Sequence, residues 1–255
     1  MTHSVSHKLI LELNGNDLNL VTVNKDEQVI QINSYNIIDQ QILEKILAEL
    51  PDIYASINLL IRKKNFISIP EEFYEDDINK IYELSYKQDE NDNLNLDKTD
   101  YSMGIVYQVE KAFTDLIKNK FSRVTVQSEV SIVLKKILAE ANLKKNKIFV
   151  SLKDEQLILF VVSEGKLLLC NPYITKSNDD TFYFVMLAIE QLHLMPEDIE
   201  LIILGEPPNR KTIFDLFKNY INEINIWLEE FNCPSALFNK EIIDRAFALQ
   251  LMICG

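Results

Sequence analysis

Three short apolar runs open the chain: Lys8-Leu-Ile-Leu-Glu-Leu13, Leu18-Asn-Leu-Val-Thr-Val23 and Val29-Ile-Gln-Ile-Asn-Ser-Tyr35. Polar turns at Asn14-Gly-Asn-Asp17 and Asn24-Lys-Asp-Glu27 divide them. Runs of this length between turn residues predict a strand meander. The pattern returns at Lys147-Ile-Phe-Val-Ser-Leu152, Leu157-Ile-Leu-Phe-Val-Val162 and Leu167-Leu-Leu-Cys-Asn-Pro-Tyr173. The first two runs recur 139 residues on and the third 138, so one turn is a residue shorter and Asn33-Ser-Tyr35 falls on Asn171-Pro-Tyr173. A fixed offset of this kind reads as an internal repeat.

Each meander is followed by a predicted helix, at 39–50 and 178–194. The first is one-sided, whereas Phe182 to Ile189 is apolar right around the cylinder, which predicts burial on more than one side. Ser177 and Asp180 fit a capping box at its start, with Asp179 and Asp180 in the first turn, where the helix dipole favours acids. The second half continues with a strand at 199–204 ending at Gly205, a helix at 209–220, a strand at 223–228 and a helix from about 240 to 253. Its order is βββαβαβα.

The first half begins alike but carries extra elements: strands at 54–61 and 66–69, a helix at 75–86, an acidic loop near 87–100, a strand at 103–109 and a helix to 119. A strand at 123–126 and a helix at 129–143 close it. Lys144-Lys-Asn-Lys147 marks the junction, giving halves of 1–145 and 146–255.

The formal charge, 26 cations against 39 acids, is −13, and this disfavours a nucleic-acid partner, which needs clustered Lys and Arg. Eleven acids and three lysines lie between Glu71 and Asp100, a window expected to be a solvated helix and a mobile loop. The longest apolar run, Leu157 to Val162, is far too short to span a bilayer, so membrane insertion is not expected. Residues 1–8 lack the apolar stretch of a signal peptide. Cys170, Cys233 and Cys254 are scattered and odd in number, reading as free thiols of a cytoplasmic protein without a metal site.

Two tandem βββαβαβα units resemble the duplicated ribonuclease H-like fold of actin-like ATPases, an α/β fold with mixed sheets. The pattern Asn171-x-Tyr173-x-Thr175, then Asp180-x-x-Tyr183-Phe184 and Gln191-Leu192-x-Leu194, resembles a family of uncharacterised bacterial proteins, a domain of unknown function with that fold. Phe66-Ile-Ser-Ile-Pro-Glu-Glu-Phe73 and Leu251-Met-Ile-Cys-Gly255 fit it too. These motif residues read as structural.

The resemblance implies two hairpin turns closing on nucleotide phosphates, where glycine lets backbone N–H groups approach closely. The equivalents are Asn14-Gly15-Asn16-Asp17 and Lys153-Asp154-Glu155-Gln156. The first has one glycine and no hydroxyl; the second sets two carboxylates where phosphate charge belongs, and like charges repel. A third element, a strand ending in paired glycines, is reduced to Gly205 before Glu206, Pro207 and Pro208, and the chain has only five glycines. ATP and Mg²⁺ are therefore disfavoured, and no cofactor or catalytic residue is assigned.

Glu12, Asp17, Asp154 and Glu155 are the carboxylates a ribonuclease H-like nuclease would need, but two sit in a turn, where acids are common. His3 and His7 lie near the N-terminus and His193 at a helix end. The leading expectation is a cytoplasmic, non-catalytic pseudo-ATPase that engages an unidentified protein partner. The alternative is a divergent ATPase or sugar-kinase-like enzyme binding nucleotide in the inter-domain cleft with non-standard loops. A plain ligand-binding module is the third.

Overall fold

The computed structural model describes residues 6–139, 145–153, 155–205, 207, 209–227 and 247–254. They divide into two compact units, 6–133 with 248–254, and 134–227 with 247. The sequence placed the boundary at 145/146 and the whole tail in the second half. Grouped by packing, the division falls within one helix and residues 248–254 go with the first unit. A sequence repeat records which segments match, whereas a compact unit gathers what packs together.

In the first unit, β1 (Lys8–Asn14), β2 (Asp17–Val23) and β3 (Val29–Asn36) form the meander, and β4 (Ser56–Arg62) and β8 (Thr125–Ser128) extend it in parallel. The sheet order is β3-β2-β1-β4-β8. Leu9 to Leu13 are all buried because β1 is central and covered on both faces. The helices α1 (Gln40–Glu49) and α3 (Lys111–Lys120) pack together and bury Leu43, Ile46, Leu47, Phe113 and Ile117. Asp39 caps α1, its side chain accepting from Ile42 N.

In the second unit, β9 (Asn146–Lys153), β10 (Gln156–Ser163), β11 (Lys166–Ile174), β12 (Ile199–Leu204) and β13 (Glu223–Trp227) repeat the order as β11-β10-β9-β12-β13. The correspondence extends to an irregularity. The β2/β3 ladder skips Ile30 between Thr22 and Val23; the β10/β11 ladder skips Leu168 between Val161 and Val162. Thr22 and Val161 stand 139 apart, the repeat offset. A bulge leaves its extra residue unpaired, which explains why apolar Ile30 and Leu168 are exposed.

The helices α5 (Asn178–Gln191) and α6 (Arg210–Phe217) cover one face of this second sheet. Thr181, Val185, Ala188 and Ile189 of α5 are buried, and rings close its flanks in part. Phe182 meets Phe217 and Tyr220 at 5.2 and 5.0 Å between centroids, and Phe184 stacks on Tyr173 at 4.5 Å. Tyr183 remains 58% exposed, so the helix is less enclosed than its composition predicts. The helix α4 (Glu129–Ala139) crosses the division between units, and α7 (Phe247–Cys254) ends the described chain. The part of the predicted last helix before 247 lies outside the described residues.

The extra material of the first unit is a sheet of its own, β5 (Phe66–Pro70), β7 (Met103–Glu110) and β6 (Asp92–Lys98) in the order β5-β7-β6, with α2 (Ile78–Glu83) on one face. This corrects the acidic loop near 87–100, half of which is β6. Asn and Asp disfavour strands and hid the alternation, but Leu94 and Leu96 pack with Ile69, Tyr82 and Val106. The helix expected from Glu75 starts only at Ile78, because Asp77 caps it.

Glu110 at the end of β7 lies directly opposite Asp92 on β6. Burial raises its carboxyl above the ordinary value of 4.5, Asp92 and Asp89 add to this, and Lys63 opposes it. A raised folded pKa means stability held at low pH is lost as pH rises through that value. Glu110→Gln is accordingly expected to stabilise at pH 7, by less than about 1 kcal/mol because the group is largely solvated. The gain should vanish below the unfolded value; urea melts at pH 7 and pH 3.5 test this, and an equal gain at both would show that charge is not the cause.

Candidate functional site

In the first unit, the β1–β2 hairpin closes at Asn14 and Asp17 around Gly15 and Asn16. Gly15 has φ +58°, and a Cβ there would meet nothing within 4 Å, so glycine serves the turn's backbone conformation. The turn is tied to the end of β3: Ile37 N donates to Asn16 O at 2.5 Å and Asn36 Nδ2 to Asp17 Oδ1 at 2.9 Å. Gly15, Asn16 and Asp17 are exposed and Asn14 is half-buried.

Glu12, next along β1, is 1% exposed but not available for metal chemistry. Its Oε1 lies 3.1 Å from Arg62 Nη1, and its Oε2 accepts from Asn19 Nδ2 at 2.9 Å. Arg62 at the end of β4 also forks onto Glu129 at the start of α4, Nη2 donating to Oε1 at 2.7 Å and Nε to Oε2. Among the described residues no group of three or more His, Cys, Asp or Glu is placed to hold a metal ion.

In the second unit, residues of three segments border a concavity of about 400 Å³. The β9–β10 turn brings Lys153, Glu155 and Gln156; the link from β11 to α5 brings Thr175, Lys176 and Ser177; the approach to α6 brings Pro207 and Asn209. Glu155 has φ +59°, so this hairpin adopts a left-handed residue without glycine, a conformation costing about 1 kcal/mol. Its carbonyl accepts from Thr175 N at 2.8 Å. Asp154 lies outside the described residues.

The start of α5 is closed by its own side chains. Ser177 Oγ accepts from Asp180 N at 3.2 Å, and Asp180 Oδ2 accepts from Lys176 N and Ser177 N at 2.7 and 2.9 Å. These bonds, that from Lys176 first, hold the Asp180 carboxyl below the usual carboxylate range. Asn209 Nδ2 donates to Asn178 Oδ1, joining the helix start to the segment before α6. Gly205, φ +72°, donates its N–H to Trp227 O at 2.9 Å. Ser177→Ala is expected to cost about 1 kcal/mol, read as a fall in the thermal midpoint. No change would mean the capping box contributes nothing to the helix.

Of the residues singled out from sequence, Glu155 and Thr175 border this concavity, and Asp180 is bonded to the backbone of Lys176 and Ser177, which border it too. Tyr173 and Tyr183 flank Phe184, Tyr183 edge-on at 5.3 Å, with Tyr173 and Phe184 packed against the core of the unit. Asn171 is exposed farther back on β11, opposite Leu159. Sequence reasoning missed Thr181, a buried threonine on the core face of α5. Its signal was a polar residue at the spacing of Val185 and Ala188. Cys170 is buried, which pushes its thiol well above the usual range and makes it an inert core residue.

Two units with the same five-strand order, each built from a meander followed by parallel strands, define the actin-like ATPase fold. The chain belongs to the family described as "Protein of unknown function (DUF3822)", whose model matches residues 1–224. A Bacteroides thetaiotaomicron protein with actin-like ATPase fold and unknown function is similar over 100% of this chain and 98% of its own, with TM-score 0.78 and 17% identity. PilM, solved in the PilM–PilN type IV pilus biogenesis complex, is similar over 97% and 98%, with TM-score 0.55 and 14% identity. No curated protein matches in sequence. No helix among the described residues is long and apolar enough to cross a membrane.

Proposed function

We propose that this protein is a non-catalytic, actin-like interaction module of the cytoplasm that engages a protein partner and does not turn over ATP. The observation that carries this reading is how the hairpin turns and the start of α5 are occupied. The turn at Asn14–Asp17 is bonded to the end of β3, and Asp180 and Ser177 cap α5 with their own side chains. Gly205 N–H is bound to Trp227 O, and Glu155 sets negative charge in the second turn. Phosphate needs free N–H donors and positive potential at such places.

PilM, of the same fold, was solved in complex with PilN, a precedent for a protein-binding role. On this reading the halves 1–145 and 146–255 are copies that diverged in task. Nucleotide binding by a divergent enzyme is the competing reading, and the concavity beside α5 is the observation in its favour.

Calorimetric titration with Mg-ATP and Mg-ADP decides between them. The expected result is no saturable heat and no change in thermal midpoint. A ligand at a hundred times its Kd adds about 2.7 kcal/mol to the unfolding free energy. A rise of that size with either nucleotide would overturn the proposal.

A further inference from the structure

The edge strands of the two five-stranded sheets differ at one matched position. Each sheet ends on the third strand of its meander, β3 in the first unit and β11 in the second. Directly opposite residues of an antiparallel ladder alternate between hydrogen-bonded and non-bonded pairs. Ile37 N donates to Asn16 O, so the bonded pairs along β3 are Tyr35 with Leu18, Asn33 with Leu20 and Gln31 with Thr22. Ile32, Ser34 and Asn36 therefore turn their N–H and C=O groups away from β2. Thr175 N donates to Glu155 O, and the same alternation turns Pro172 away from β10. Pro172 is the repeat counterpart of Ser34, 138 residues on.

Proline has no N–H, and on the outer side of an edge strand it blocks a further strand from pairing. Lys166 adds a charge to β11. Strand β3 has neither proline nor charge, and Ser34 keeps its N–H. Ser34 and Asn36 are exposed, and among the described residues no group bonds to the outward N–H and C=O of Ile32, Ser34 or Asn36. One copy of the duplicated edge is thus blocked and the other is open.

The groups on an open edge match the backbone of another extended strand. This edge is complementary to itself. A two-fold axis through Ser34 sets a second copy antiparallel, with Ser34 opposite Ser34 and Ile32 opposite Asn36, so every outward N–H meets a C=O. Ile30 and Ile38, 39% and 75% exposed, lie equally far along the chain from Ser34, and the same axis sets one against the other. No charge within the strand opposes its own copy.

We propose that β3 is a self-association edge through which two copies of this chain pair antiparallel about Ser34. The inference goes beyond the interaction-module reading and does not depend on it. A joint built on one short strand belongs to the small, transient class of interfaces, so the dimer is weak. Copies carrying a formal charge of −13 repel at long range, and salt screens that repulsion.

Sedimentation velocity of the full chain over a wide concentration range tests this, with hydrogen exchange measured in parallel. The expected result is a reversible monomer–dimer equilibrium, micromolar or weaker and tighter at higher salt. The amides of Ile32, Ser34 and Asn36 should gain protection as the dimer forms. Ser34→Pro gives β3 the residue that β11 carries at this place, and should weaken association about tenfold or more by removing the central N–H donors. Ser34→Ala keeps that N–H and loses only the Oγ bond to Asn19 Oδ1, so it should associate like the unaltered chain. If Ser34→Pro fails to fold, the exchange of the unaltered chain still decides. The proposal is overturned by a monomer at every concentration, which would leave the edge to a strand of another protein. A dimer that Ser34→Pro leaves intact, or one that forms while those amides exchange freely, overturns it as well. Nucleotide titration bears on the interaction-module reading and leaves this inference untouched.

Discussion

Arg62→Met is expected to lower the unfolding free energy by about 3–5 kcal/mol. Arg62 stands between two carboxylates, with side-chain exposures of 1% for Glu12, 10% for Arg62 and 15% for Glu129. Removing the guanidinium leaves two largely buried negative charges without their shared cation, and among the described residues Asn19 is the side-chain donor that Glu12 keeps. The cost arises from the carboxylates left behind more than from the attraction lost. Replacing the whole group, Glu12→Gln, Arg62→Met and Glu129→Gln together, should therefore recover most of the stability, because no buried charge then remains. Guanidinium melts of the single and triple variants test both statements. A single-variant loss under about 1 kcal/mol would mean that water reaches these carboxylates.

Gly104→Ala should destabilise the inserted sheet by about 1–3 kcal/mol, the usual range for overpacking a fitted core. A Cβ at Gly104 would stand 2.6 Å from Leu96 Cδ1 and 2.7 Å from Tyr74 Cε1. Its φ is not in the left-handed region, so the backbone accepts alanine and the obstacle is steric. The Tyr74 ring lies over β7 at this point, with Lys98 Nζ 4.9 Å from its centroid. Combining Gly104→Ala with Leu96→Ala should therefore cost less than the sum of the two changes, since each removes what the other lacks. Strict additivity would contradict the packing described.

The wider consequence concerns how the inserted sheet is held. Asp97 on β6 accepts from Tyr107 Oη at 2.9 Å and, through its other oxygen, from Ser128 N at 2.6 Å. Ser128 Oγ in turn accepts from Ser131 N at 3.0 Å in the first turn of α4. The insertion is thus fastened to the end of β8 and the start of α4. Overpacking at Gly104 should be felt at Asp97 through β6, which hydrogen exchange at Ser128 N would report.

The meanders were legible because a strand's burial has a period of two and its turns need particular residues. Leu9 to Leu13 and Leu157 to Val162 announced strands, and Gly165 announced the turn that it makes with φ +79°. The 139-residue offset disclosed the duplication, and the ladders confirm it at the bulges beside Val23 and Val162. The capping of α5 was equally readable, because Ser177 and Asp180 act within one turn of their own backbone. Strand β6 was not: its partners lie on β7, and only there do Leu94 and Leu96 acquire an apolar face to cover.

By itself, then, the sequence determined the order of the elements, the repeat and the poverty of its hairpin turns in glycine. All three depend on neighbours in the chain or on composition. The tertiary structure alone decided which polar residues became a site. Glu12 looked like a candidate for metal chemistry until Arg62, fifty positions away, came to lie against it. In the second unit the repeat offset places Ser151 at the position of Glu12 and Ile158 at that of Asn19, so the copies share a backbone but not a charge pattern. Thr175 stood out only as part of a structural motif, and Thr181 did not stand out at all. Folding buries both beside one concavity, because burial depends on segments distant in sequence.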